Sequence, residues 1–123
     1  MPMRALLNKF ISIFRIELED LREDINDLIE MLEKRKVSQE ITNYVYMGNK
    51  AVLLNQIASV EELLDSISTI DAYQYESVED MIADVHQMID TRIQERDFPE
   101  MVHDLVQRKF DKVCKYVIGS QAG

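Results

Sequence analysis

Leu7, Ile11, Phe14, Leu18, Leu21, Ile25, Leu28 and Leu32 follow one another by alternating steps of four and three. That is the heptad spacing of a helix that buries one stripe against neighbouring helices. No Gly or Pro falls between residues 3 and 36, so the spacing predicts one unbroken helix over that stretch. Such a helix is about 51 Å long at 1.5 Å per residue, whereas a compact 123-residue domain is about 35 Å across. The rest of the chain must therefore be arranged around this one element, and part of it must overhang.

The remaining composition agrees with helices. The chain is 46% apolar and 30% charged, with three Gly, two Pro and no Trp, which excludes a disordered chain and disfavours a turn-rich β protein. Residues 39 to 71 form the predicted second helix, with Ser38 as its N-cap and Leu53, Ile57, Val60, Leu64 and Ile67 repeating the four-three step. Within it, Thr42, Tyr44, Val45 and Tyr46 favour strand and Gly48-Asn49 is a two-residue hairpin turn, so a β-hairpin over residues 41 to 55 is the competing reading. A lone hairpin is only marginally stable, which favours helix. Ser59 with the acids after it resembles a second helix start and leaves room for a break there.

A connection is predicted at Asp71 to Glu76, containing Tyr73 and Tyr75, and Ser77 with Asp80 opens a third helix carrying Val78, Ile82, Val85, Ile89 and Ile93 inward. Phe98-Pro99 ends it. A fourth helix runs to Ile118, buries Val102, Leu105, Val106, Phe110, Val113, Cys114 and Val117, and is expected to stop at Gly119. The predicted fold class is all-α, a single-domain antiparallel helical bundle with two long N-terminal helices forming a hairpin and two shorter C-terminal helices.

Charge narrows the functions. A net charge of -9 opposes phosphate backbones, so nucleic-acid binding is disfavoured. No apolar run reaches the ~20 residues of a membrane-spanning helix. The first 16 residues carry Arg4, Lys9 and Arg15 without an acid, a pattern shared by surface-binding and targeting helices. Continuation of the stripe through Leu18 and Leu21 favours a buried core role instead. The lone Cys114 forms no disulfide framework, and a reducing, cytoplasmic setting is expected.

Chemistry-bearing motifs are sparse. Glu30-x-x-Glu33 and Glu62-x-x-Asp65 each place two carboxylates on one helix face, a spacing able to hold Mg²⁺ and substrate phosphates. The pair of motifs resembles that of all-α nucleoside-triphosphate pyrophosphohydrolases of the MazG type, which implies Mg-dependent hydrolysis at those four residues. A long hairpin, however, would hold Glu30 near its turn and Glu62 about 30 Å away. Glu100-x-x-His103 is half of a di-iron helix-bundle motif, but His86 is preceded by Ala83 and supplies no second half. Glu17, Asp20, Asp24 and Asp27 form a carboxylate stripe read as a solvated face, and Arg108, Lys109, Lys112 and Lys115 complement the end of the last helix. No catalytic residue, metal site or cofactor is assigned.

The expectation is a non-enzymatic protein-interaction module, such as an adaptor, chaperone or regulator, with the pyrophosphohydrolase as its alternative. The shorter helices cannot reach the hairpin tip, so Ile25, Leu28, Leu32, Ile41, Tyr44, Val45 and Val52 are predicted to form an exposed apolar interface. A second copy is the expected cover, which predicts a homodimer, besides any unidentified protein partner.

Overall fold

The computed structural model describes residues 3–71, 74–95 and 100–122, and it is all-helical there: α1 (Met3–Val37), α2 (Asn43–Ile67), α3 (Val78–Glu95) and α4 (Glu100–Ala122). Tyr73 and the Phe98-Pro99 break lie outside the described residues. No described helix is long and apolar enough to cross a membrane.

α1 has the predicted extent, and how it ends fixes the start of α2. Gln39 adopts a left-handed φ of 63°, its N–H bonds the Lys36 carbonyl at 3.0 Å, and the Glu40 N–H reaches back to Arg35 at 2.9 Å. This is a Schellman cap, with Gln at the position Gly usually holds. Ser38 is thus spent on ending α1, its hydroxyl donating to the Arg35 carbonyl at 3.1 Å, and is not the N-cap of α2. That role belongs to Thr42, whose Oγ1 accepts from the Val45 N–H at 3.2 Å.

α2 contradicts the hairpin alternative, because no strand occurs among the described residues and Gly48 lies inside the helix. A Cβ added at Gly48 would meet nothing within 4 Å. Gly48→Ala is therefore expected to stabilise the protein by about 1 kcal/mol, the difference in helix propensity. In a type I′ turn the same change would destabilise, so the sign of the shift in a urea melt distinguishes the two structures.

Neither does α2 break at Ser59, whose hydroxyl donates to the Asn55 carbonyl at 2.9 Å inside a continuous helix. The helix does stop four residues early. Ser68 and Thr69 donate their hydroxyls to the carbonyls of Asp65 and Ser66, and so compete with continued helix geometry. At α3, Ser77 caps as expected, its Oγ accepting from the Asp80 N–H at 3.1 Å. α4 continues through Gly119 to Ala122, since glycine disfavours a helix by only about 1 kcal/mol and does not forbid it.

One cluster of buried side chains joins all four helices: Leu7, Phe10, Phe14 and Leu18 of α1, Val60, Leu63 and Ile67 of α2, Met81, Val85 and Ile89 of α3, and Val102, Val106 and Phe110 of α4. The broad apolar face at the start of α1 is therefore core. The buried face of α2 is rotated from the predicted stripe, with Gln56, Ser59 and Leu63 buried while Leu53, Ile57 and Leu64 are only partly covered. Every α1 residue of the cluster lies at or before Ile25, and every α2 residue lies at or after Val60. The last third of α1 stands outside it, and in the first half of α2 only Leu53 packs against it.

Candidate functional site

Beyond Ile25, the α1 stripe carries Leu28, Met31, Leu32 and Arg35, and these four form one wall of a groove. Asn49, Val52, Leu53 and Gln56 of α2 form the other wall, and Met101 at the start of α4 completes the lining around a volume of about 400 Å³. Leu28 (49% exposed), Met31 (58%), Val52 (54%) and Met101 (60%) leave apolar surface open to water. Two of the four are methionines, whose flexible thioethers adapt to the shape of an occupant. Gln56 is buried in the floor, its Nε2 3.8 Å from the Met101 sulfur, which is a weak acceptor.

Charged groups surround this end. Arg35 pairs with Glu40 at 3.3 Å. On α2, Lys50 donates to the Tyr46 hydroxyl at 3.0 Å and to Glu33 at 3.4 Å, and these two contacts, Tyr46 first, raise its pKa above the ordinary value. The Lys36 ammonium sits 4.3 Å from the Tyr46 ring centroid.

The seven residues predicted as an exposed interface do not all behave alike. The chain itself covers Ile25 and Leu32, at 3% and 6% exposure, which corrects their expected exposure: at this end the heptad stripe turns toward the chain's own core and α2. Leu28 and Val52 line the groove, and Leu32 sits at its base. Tyr44 and Val45 are exposed beyond it, at 88% and 41%, and Ile41 is half-buried in the loop before α2. The apolar pattern could not have found Gln56, which is polar, or Met101, which belongs to a distant part of the chain.

The carboxylate motifs remain apart. Glu30 and Glu33 border a shallow depression with Lys34, Val37 and Ser38, whereas Glu62 and Asp65 border another with Ser66, Thr69 and Arg92. No three His, Cys, Asp or Glu side chains among the described residues are grouped so as to hold a metal ion. His86 bridges helices, its Nε2 3.2 Å from Gln107 Oε1, its Nδ1 3.6 Å from Asp90 and its ring 5.3 Å from Phe110. His103 lies 3.8 Å from Asp104.

Glu17 departs from the solvated-stripe expectation. Its side chain is only 17% exposed and accepts from Lys109 at 3.0 Å and Lys112 at 3.2 Å. The Lys109 bond leads in holding its carboxyl below the ordinary pKa, against the opposing effect of burial. Two of the four cations late in α4 thus tie it to α1. Cys114 is half-buried, and burial followed by Asp111 pushes its thiol up to about 11, so it is a protonated thiol at neutral pH. Burial and the 2.6 Å bond to Asp84 likewise push the Tyr75 hydroxyl up to about 12.

Against protein-family models, curated proteins and solved structures, the chain matches none.

Proposed function

We propose that this chain is a non-enzymatic protein-interaction module whose working surface is the groove between α1 and α2. In this reading the chain is a single-domain bundle, α1 and α2 form an antiparallel hairpin, and α3 and α4 cover only one end of it. The Glu33–Lys50 pair between the end of α1 and the first half of α2 supports the hairpin, as does the meeting of the first part of α1 with the last part of α2 in the core. An unpaired Cys114 suits a reducing compartment.

The observation that carries the reading is where the exposed apolar side chains fall. Among the large hydrophobic residues described as exposed, all but Ile16 and Tyr116 lie between Leu28 and Val37, between Tyr44 and Leu54, or at Met101. Soluble chains scatter such residues singly, and a concentration at one end marks a surface that is covered in use. Adaptor, chaperone and regulatory roles all use such a surface.

The test compares wild type with Val52→Glu for recovery of bound protein from native lysate, after circular dichroism shows equal helix content. Loss of partners from the variant is expected, and an unchanged set would overturn the groove as the working surface. A parallel screen for pyrophosphate release with Mg²⁺ addresses catalysis. Turnover abolished by Glu62→Gln and by Asp65→Asn would replace the interaction reading with the hydrolase.

A further inference from the structure

The α1 wall of the groove has an order of side chains that reads the same from either end after exchange of charge. Asp24, Leu28, Met31 and Arg35 succeed one another by steps of four, three and four, and therefore share one face of the helix. The row runs acid, apolar, apolar, base. Leu28, Met31 and Arg35 line the groove, and Asp24 lies one turn before Leu28 and is exposed. Asp24 and Arg35 are equally far from the midpoint between Leu28 and Met31, as those two are from each other's place.

From this we infer that the occupant of the groove is a second copy of this chain, related by a twofold axis through that midpoint. The inference rests on the interaction reading above and names its partner. A twofold lays the two α1 rows antiparallel, so that Asp24 of each chain meets Arg35 of the other and Leu28 meets Met31. Each contact then occurs twice, as an isologous interface requires. Within one chain Asp24 and Arg35 are about 16 Å apart along the helix and cannot pair. The Arg35–Glu40 pair does not compete strongly, because both side chains are more than half exposed and such pairs contribute little. An edge about 16 Å long and one helix wide buries less than the about 800 Å² per partner of a standard interface. Asn49 and Val52 on the opposite wall supply further surface, and the exposed Met31 and Met101 can repack around the incoming helix.

Light scattering coupled to size exclusion tests this with the full chain at about 100 µM, where a micromolar dimer is populated. Wild type is expected at twice the 14.4 kDa chain mass. Asp24→Arg alone and Arg35→Asp alone each place like charges opposite one another at both ends, and each should weaken the dimer about 10- to 100-fold. Mixing the two single variants makes every cross-chain pair complementary again, and a heterodimer should form within about threefold of wild-type affinity. Neither a folding defect nor a contact within one chain produces rescue on mixing. A mixture that stays as weak as its components, or a wild type that is monomeric, overturns the second copy as occupant. If wild type is monomeric and Val52→Glu still loses a heterologous partner, the groove stands and its occupant is another protein. If Val52→Glu changes neither dimer nor partners, the groove reading itself fails.

Discussion

Phe14→Ala is expected to lower the stability of the protein by about 3–5 kcal/mol, the range for emptying a phenylalanine site in a packed core. Phe14 has no exposed surface, and its ring centroid lies 5.6 Å from Phe110 at 79° and 6.1 Å from Phe10 at 41°. Phe10 meets Phe110 in the same edge-to-face manner, at 5.6 Å and 78°. Edge-to-face pairs add about 0.5–1.5 kcal/mol each beyond burial, so truncation loses area and ring geometry together. The three rings join α1 to α4, and the His86 ring against Phe110 brings in α3. On the same helix, Met31→Ala, measured at a chain concentration too low to populate the dimer, should change stability by less than about 0.5 kcal/mol, because within one chain Met31 is 58% exposed at the groove. Urea denaturation of the two variants measures the contrast through the midpoint at constant m. Equal effects would mean that the two ends of α1 are not specialised, one for core and one for contact.

That division was only partly legible in the sequence. The four-three spacing from Leu7 to Leu32 specified α1 because a long helix repeats its signal at every turn, and nothing in residues 3 to 36 contradicts it. The start of α2 was misplaced for a local reason: a Gln at the left-handed cap hides a motif that Gly would have announced, and Ser38 resembles an N-cap while serving the preceding helix. The buried face of α2 was misjudged because Gln56 and Ser59 are inside it, and hydrophobic spacing cannot see a buried amide or hydroxyl. For the site, periodicity reports that a residue faces a neighbour but not which neighbour. Ile25 and Leu32 were grouped with Leu28 on that account, yet the chain covers the first two and leaves the third half open. Met101 joins the groove through the packing of α4 against α1 and α2, which no local pattern encodes.

Glu17→Lys is the other substitution expected to have a large effect, a loss of about 2–4 kcal/mol, because it removes a largely covered carboxylate and gathers three ammonium groups in its place. Glu17→Gln should cost less, about 1–2 kcal/mol, since an amide can still accept one hydrogen bond from lysine. The two lysines are not equivalent. Lys109 is 21% exposed and 3.0 Å away, whereas Lys112 is 72% exposed, so Lys109→Ala should destabilise more than Lys112→Ala. The lowered pKa of Glu17 fixes the pH dependence. A carboxyl held below its ordinary 4.5 in the folded state contributes its full stability above that value, and loses it as pH falls through the lower folded value. The gap in melting temperature between wild type and Glu17→Gln should therefore be widest near neutral pH, start to narrow below 4.5 and close in stronger acid. Added salt should narrow it less than it would for an exposed pair, because Glu17 and Lys109 are mostly shielded from solvent. A gap that stays constant through the acid limb would show that Glu17 holds α4 to α1 by packing alone and that its charge contributes nothing.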